Sequence, residues 1–394
     1  LVRKNYLFFL IIPLLVIIGC KNPTGNDTDT AESLWYKVSA ANGSTEDMFG
    51  FSVDIEGDYA VVGARGYDHY AGTAYVFHKT GPNSWDNGTQ LEFTGFDNGF
   101  GWSVSISGDY VLVGCRYGNH NIGEAYIYQR TGTNSWGNRQ VLNPSDATSK
   151  INFGLSVSLD GDYAAIGTYT GESVYVYKKG SNGWSNPSET ILKSTKSRAE
   201  KFGYSISLDG DTLAIGAYEN DLVGAYVYER YGDNAWGNIY VIAVPEKSNN
   251  RDFGISVAVD DGYLIVGDTA FGDQGQGAAF VYERSSGGNI WEKPAKLTAP
   301  DGAPGDNFGT VAISGDTILV GAENAVIGGN SSQGAVYRYS RTGSNTWDFA
   351  KKLADSNGSE KDYYYKAALD NTALIIGAWG AENYKGSASI YRYK

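Results

Sequence analysis

A chain of 394 residues could hold two ordinary domains, but uniform repetition along it argues for one large one. Thirty tyrosines and 52 glycines, against one methionine, three histidines and nine prolines, point to an all-β protein. A formal charge of −13 with no Lys/Arg cluster repels phosphate backbones, which argues against nucleic acid as a partner.

Residues 1–20 read as an export signal. Arg3 and Lys4 precede a 13-residue apolar run, Tyr6 to Ile18, too short for a comfortable membrane span. The run ends in Ile17-Ile18-Gly19-Cys20, which resembles a bacterial lipobox. That resemblance implies cleavage before Cys20 and a diacylglycerol on its thiol. Residues 21–33 have the polar composition of a flexible tether. The expectation is a protein held at a bacterial cell envelope, on the outer membrane or cell surface, through an N-terminal lipid. Leu1 in first position suggests a non-AUG start codon or a truncation, since starting at Met48 would discard Cys20 and the strand at Trp35. Cys115, inside an apolar run, reads as a small buried hydrophobe, and no disulfide framework exists.

Residues 34–394 repeat one pattern seven times, about every 51 residues. Each copy opens on an aromatic–glycine step: Phe49-Gly50, Phe100-Gly101, Phe153-Gly154, Phe202-Gly203, Phe253-Gly254, Phe308-Gly309 and the degenerate Tyr363-Tyr364. A glycine follows fourteen residues later, except that Gly321 comes one early, and seven of the nine tryptophans keep the same beat. Fixed periods of this size signal a radial or stacked array. In the second copy Trp102 to Ile106 alternates like a strand, Ser107-Gly108-Asp109 reverses, and Tyr110 to Gly114 is an apolar run. Strands at Glu124 to Tyr128 and Arg139 to Leu142 complete four, lettered A to D here, and no stretch shows helical periodicity.

Such a sheet is apolar on both faces, and seven packed face to face in a ring bury them all. The aromatic of each step is expected between neighbouring sheets, contributing about 1.5–3 kcal/mol when fully buried. The last copy lacks a D strand, whereas Leu34 to Val38 looks like one with no sheet of its own. The prediction is a seven-bladed β-propeller of four-stranded antiparallel blades, closed by that N-terminal strand.

The run Phe-Gly-x-Ser-Val, the strand ending in Gly-Ala (Gly63-Ala64, Gly216-Ala217, Gly321-Ala322, Gly377-Ala378) and Gly-x-Ala-Tyr-Val-Tyr resemble the FG-GAP repeat. That is the unit of the integrin α-subunit propeller, and the resemblance covers residues 34–394. It implies binding and adhesion without catalysis. The integrin-type calcium loop, Asp-x-Asp-x-Asp-Gly, is missing. Here strands A and B are joined only by turns such as Asp160-Gly161-Asp162 and Asp209-Gly210-Asp211, too short to wrap a calcium ion. Their acids read as turn chemistry, and no cofactor is expected.

The A–B and C–D turns share one face of the ring; the B–C loops and D-to-A connectors share the other. The second face varies more, which is where binding residues on a rigid scaffold belong. Its aromatic and polar residues are Tyr67, His69, Tyr70, Arg116, Tyr117, His120, Tyr218, Phe271, Trp379 and Tyr384, with Asp68, Tyr169, Glu219, Asp221, Asp273, Glu323 and Glu382 beside them. Exposed rings next to carboxylates suit a glycan or a protein partner. His69 and His120 occupy similar places in adjacent copies, but two histidines lack the further ligands that zinc takes. A glycosidase or lyase using paired carboxylates on this face is the alternative, although three convergent arginines of the sialidase kind and the standard hydrolase motifs are missing.

Overall fold

The computed structural model describes residues 35–93, 99–147, 150–194, 201–219, 223–245, 252–285, 291 and 293–392. The signal-like segment with Cys20, the tether, Leu34, Asp221 and Tyr393 lie outside them.

Seven antiparallel sheets stand round one axis. Their innermost strands touch in a closed circuit: Phe49–Glu56, Phe100–Ser107, Ser156–Asp160, Ile206–Asp209, Ser256–Asp260, Phe308–Ser314, Tyr364–Leu369, and back to the first. Blades are numbered here in that order. The seventh takes its outermost strand from the other end of the chain, as Trp35–Val38 runs antiparallel to Ser387–Arg392. Trp35 lies opposite Tyr391 and Val38 opposite Ala388. Two outer strands are less regular than expected. Blade 1 splits its own into Ser84–Trp85 and Thr89–Gln90, and among the described residues blade 5 shows Ala295–Leu297. The B–C loops also hold short helical turns that sequence periodicity gave no sign of, at Tyr67–Tyr70, Gly118–Asn121 and Ala381–Tyr384.

Seven apolar clusters fill the seven gaps between blades. Phe49, Phe100, Phe153, Phe202 and Phe308 are fully buried in them, and Phe253 is 1% exposed. The seventh equivalent is Tyr364, not Tyr363: Tyr364 is 1% exposed and pairs with Ala378 as Phe308 pairs with Ala322. The degenerate step is therefore Tyr364-Tyr365. The reason is a shortened bulge: between matching strand pairs, blades 1 and 2 carry two extra residues on the A strand, whereas blades 6 and 7 carry one.

The recurring B-strand glycine has a steric cause. A Cβ on Gly63, Gly114 or Gly216 would lie 2.2 Å from the carbonyl oxygen of Gly101, Gly154 or Gly254 in the next blade. That oxygen belongs to the aromatic–glycine step or its degenerate equivalent, so the two recurring features of the repeat meet each other across every gap.

The turn acids do more than shape hairpins. A carboxylate at the end of one blade's A strand accepts the turn N–H of the next: Glu56 from Gly108 at 2.6 Å, Asp160 from Gly210 at 2.8 Å, Asp260 from Gly315 at 2.7 Å and, one residue past its strand, Asp370 from Gly57 at 2.7 Å. The acid after the turn glycine pairs within its own blade, as in Asp58–Lys79, Asp109–Arg130, Asp211–Arg230 and Asp316–Arg341. These arginines also lie over a tyrosine of the preceding blade, Arg130 over Tyr59 at 4.6 Å and Arg230 over Tyr163 at 4.4 Å.

Each innermost strand has one edge facing the axis, and side chains from the preceding blade satisfy part of it. Ser105, Ser158 and Ser207 accept the N–H of Leu159, Leu208 and Val259. Blade 1 uses Asp54 instead, accepting Ile106 N–H at 2.8 Å, and burial pushes this carboxyl up to about 6 against the hydrogen bonds that lower it. The folded state thus holds a proton more tightly than the unfolded chain, so stability falls as pH rises from about 4 to about 6 and stays lower above. Asp54→Ser, the residue blades 2, 3 and 4 use, is expected to remove that fall. In urea melts the variant should gain on the order of 1–2 kcal/mol over the parent at pH 7.5 and almost nothing at pH 4. An equal gain at both pH values would show that Asp54 does not titrate in this window.

Candidate functional site on the loop face

Side chains from two positions of the repeat meet at the loop face. One is the bulge residue after the aromatic–glycine step: Phe51, Trp102 and Tyr204 in blades 1, 2 and 4. The other is the residue two after the B-strand glycine: Arg65, Arg116, Tyr169, Tyr218, Thr269, Glu323 and Trp379. Arg65 lies 4.2 Å from the Phe51 ring centre and 4.6 Å from that of Trp102. Arg116 takes the same indole at 4.5 Å and Tyr169 at 4.7 Å. Tyr204 continues the arc, 4.6 Å edge-on to Tyr218. On the other side Trp379 stacks flat on Tyr363 at 4.4 Å and meets Phe51 edge-on at 6.1 Å.

Neither arginine has an ion-pair partner among the described residues, and both Nε atoms are buried without an acceptor there. Burial pulls the Arg65 pKa down, and the neighbouring Arg116 charge adds to it. Such a guanidinium stays cationic and keeps its in-plane donors for a ligand. Across the mouth, burial pushes the Glu323 carboxyl up while Lys366 and a hydrogen bond from Tyr365 draw it back. Burial also lowers Lys366, which sits where blades 1 to 5 have serine. Tyr365, the residue replacing the glycine, is raised by burial, by Glu323 and by Tyr204, which approaches from three blades away. The mouth thus has a cationic, aromatic arc on blades 1 to 3 and a carboxyl–tyrosine–lysine group at blades 6 and 7.

The ten residues singled out from sequence divide into three groups. Arg116, Tyr117, Tyr218 and Trp379 line the mouth, with Tyr384 against Trp379 at 5.7 Å. Tyr67, His69, Tyr70 and His120 lie in the blade 1 and 2 loops, where His69, Tyr70 and His120 are exposed and Tyr67 takes a hydrogen bond from Asn42. Phe271 packs on Phe280 in the core between blades 4 and 5, away from the others. Sequence reading missed Phe51, Trp102, Tyr204, Tyr363, Tyr365 and Lys366, because each falls at a strand end. Aligning the copies on the bulge would have shown Phe51, Trp102 and Tyr204 as one column.

The loop turns of blades 1, 2 and 7 share an unusual backbone. Asp68-His69-Tyr70, Asn119-His120-Asn121 and Glu382-Asn383-Tyr384 are each three consecutive left-handed residues. Such residues cost about 1 kcal/mol or more apiece. They bring a carbonyl to the next blade: Tyr70 O accepts Gly99 N–H and Tyr384 O accepts Met48 N–H, both at 2.8 Å. The strain is explained by joining blades. Among the described residues no cluster of three or more metal-ligating side chains occurs, and no helix is long and apolar enough to cross a membrane.

The family model for the FG-GAP repeat matches residues 35–77, 95–128, 136–182, 189–242 and 291–339, more than half of the chain. No curated protein matches it. With that match and a seven-bladed ring built on the aromatic–glycine step, the chain belongs to the FG-GAP repeat family.

Proposed function

We propose that this protein is a lipid-anchored binding propeller of a bacterial envelope that engages a protein or glycan through its B–C loop face, without catalysis. Cys20 carries the anchor in this reading, and the axial mouth is the centre of the contact. The observation that supports it most is the pair Arg65 and Arg116, held between aromatic rings and without a carboxylate partner among the described residues. In a chain of net charge −13 such a pair selects for an acidic group on the partner.

Soluble residues 34–394 should show saturable, salt-sensitive binding on glycan and envelope-protein arrays. Arg65→Ala with Arg116→Ala should weaken it roughly ten- to hundredfold. Binding unchanged in the double variant would move the contact elsewhere. Incorporation of a labelled fatty acid that is lost in Cys20→Ser tests the anchor.

A second reading, a propeller glycosidase or polysaccharide lyase, draws on one arrangement. Glu323, Asp252 and Arg116 all bear electrostatically on the Tyr204 hydroxyl. Polysaccharide turnover abolished by Glu323→Gln would favour it.

A further inference from the structure

On the turn face, a cavity of about 300 Å³ opens between blades 2 and 3, within the size range of small-ligand sites. Its walls include Gln129, Asn138 and Gln140 from blade 2, Asn182 and Trp184 from blade 3, and Tyr110 beneath. Amides and rings dominate, and no carboxylate takes part. Lys179, over the Tyr110 ring at 4.9 Å, is already paired with Asp162.

The cavity has a cause in the sequence. In blades 1, 2, 4 and 6 the C–D hairpin places tryptophan six residues after the cation that pairs with the turn acid: Lys79 to Trp85, Arg130 to Trp136, Arg230 to Trp236, Arg341 to Trp347. In blade 3 the interval from Lys179 to Trp184 is five. The residue lost is the one between cation and glycine, since Gly180 pairs with Gly183 as Gly232 pairs with Ala235. The hairpin arm is shorter, and its tip is drawn back from blade 2.

In blades 4 and 6 the tip asparagine plugs the gap. Asn234 Nδ2 donates to Val176 O at 3.2 Å and Ser188 O at 3.1 Å, and Asn345 Nδ2 to Val281 O at 3.1 Å. Asn182 holds the same turn position but is exposed, while Ile127, the counterpart of Val176 and Val281, lines the open cavity. Asn234 also accepts the Trp236 indole N–H at 3.1 Å, whereas the buried Trp184 Nε1 has no acceptor among the described residues. Trp347 Nε1 lacks one too, but beneath a filled gap.

We infer that this cavity is a binding site for a neutral sugar ring, separate from the axial mouth. Side-chain amides donate to and accept from neighbouring hydroxyls, and the Tyr110 and Trp184 rings offer apolar faces to sugar C–H groups. The lack of a free charge in the wall selects against uronates and other anionic sugars.

The test is titration of soluble residues 34–394 with disaccharides of glucose, mannose, galactose and N-acetylglucosamine, read by calorimetry and tryptophan fluorescence. At least one should bind, at about millimolar or tighter. Inserting one threonine after Lys179 restores the longer hairpin, and it should abolish that binding while raising the melting temperature. Gln140→Ala, on an outer strand, should keep the fold and weaken binding about tenfold. The Arg65→Ala, Arg116→Ala protein should bind the same sugar unchanged, which separates this site from the loop face. The inference is overturned if no sugar of the panel binds, or if binding survives both the insertion and Gln140→Ala.

Discussion

Gly216→Ala is expected to be among the most damaging single-methyl changes this chain can suffer. The added Cβ would lie 2.2 Å from Gly254 O and 2.2 Å from Ser205 Oγ, and both glycines are buried between blades 4 and 5. Neither side can retreat without shifting a blade, so overpacking should cost on the order of 3–5 kcal/mol. Gly161→Ala is the control. It sits at φ +52° in an open turn with nothing within 4 Å, so only backbone strain is lost, about 1 kcal/mol. Thermal melts of the two variants side by side should show a large drop for the first and a small one for the second. Equal drops would mean that conformation, rather than contact between blades, fixes glycine in the B strand.

Deleting residues 34–40 should open the ring. The Ser387–Arg392 strand would then present an unpaired edge, and the apolar layer between blades 7 and 1 would lose Val38 and Ala40. Bare edges of this kind recruit other strands. Light scattering should show soluble oligomers or aggregate, with the melting temperature well below that of the parent. A monomer melting at the parental temperature would show that the ring holds without its closing strand.

Both expectations concern features that were legible before any coordinates, because repetition averages out local ambiguity. One copy of Phe-Gly-x-Ser says little, but five of them within seven repeats in step identify the blade, its four strands and the missing outer strand. The seventh copy aligns on Tyr363 or on Tyr364, because three tyrosines run from 363 to 365 and only burial picks out Tyr364. The candidate site was harder to see. Arg116 and Trp379 stood out as loop residues, whereas Phe51 and Trp102 looked like ordinary strand aromatics. What places them at the mouth is the bulge, a register effect that side-chain type does not disclose. Phe271 shows the converse, since a ring in a variable loop can still serve the core.

The joint between Trp35–Val38 and Ser387–Arg392 also decides how the molecule bears load. The chain enters that joint at Trp35, on the side of the turns, while the axial mouth opens on the opposite side. Tension between those two points pulls the short strand along its own length. Its ladder is then loaded in shear, with its hydrogen bonds and the Trp35–Tyr391 ring contact resisting together instead of peeling one after another. Four residues so placed make a stronger mechanical fastening than their number suggests.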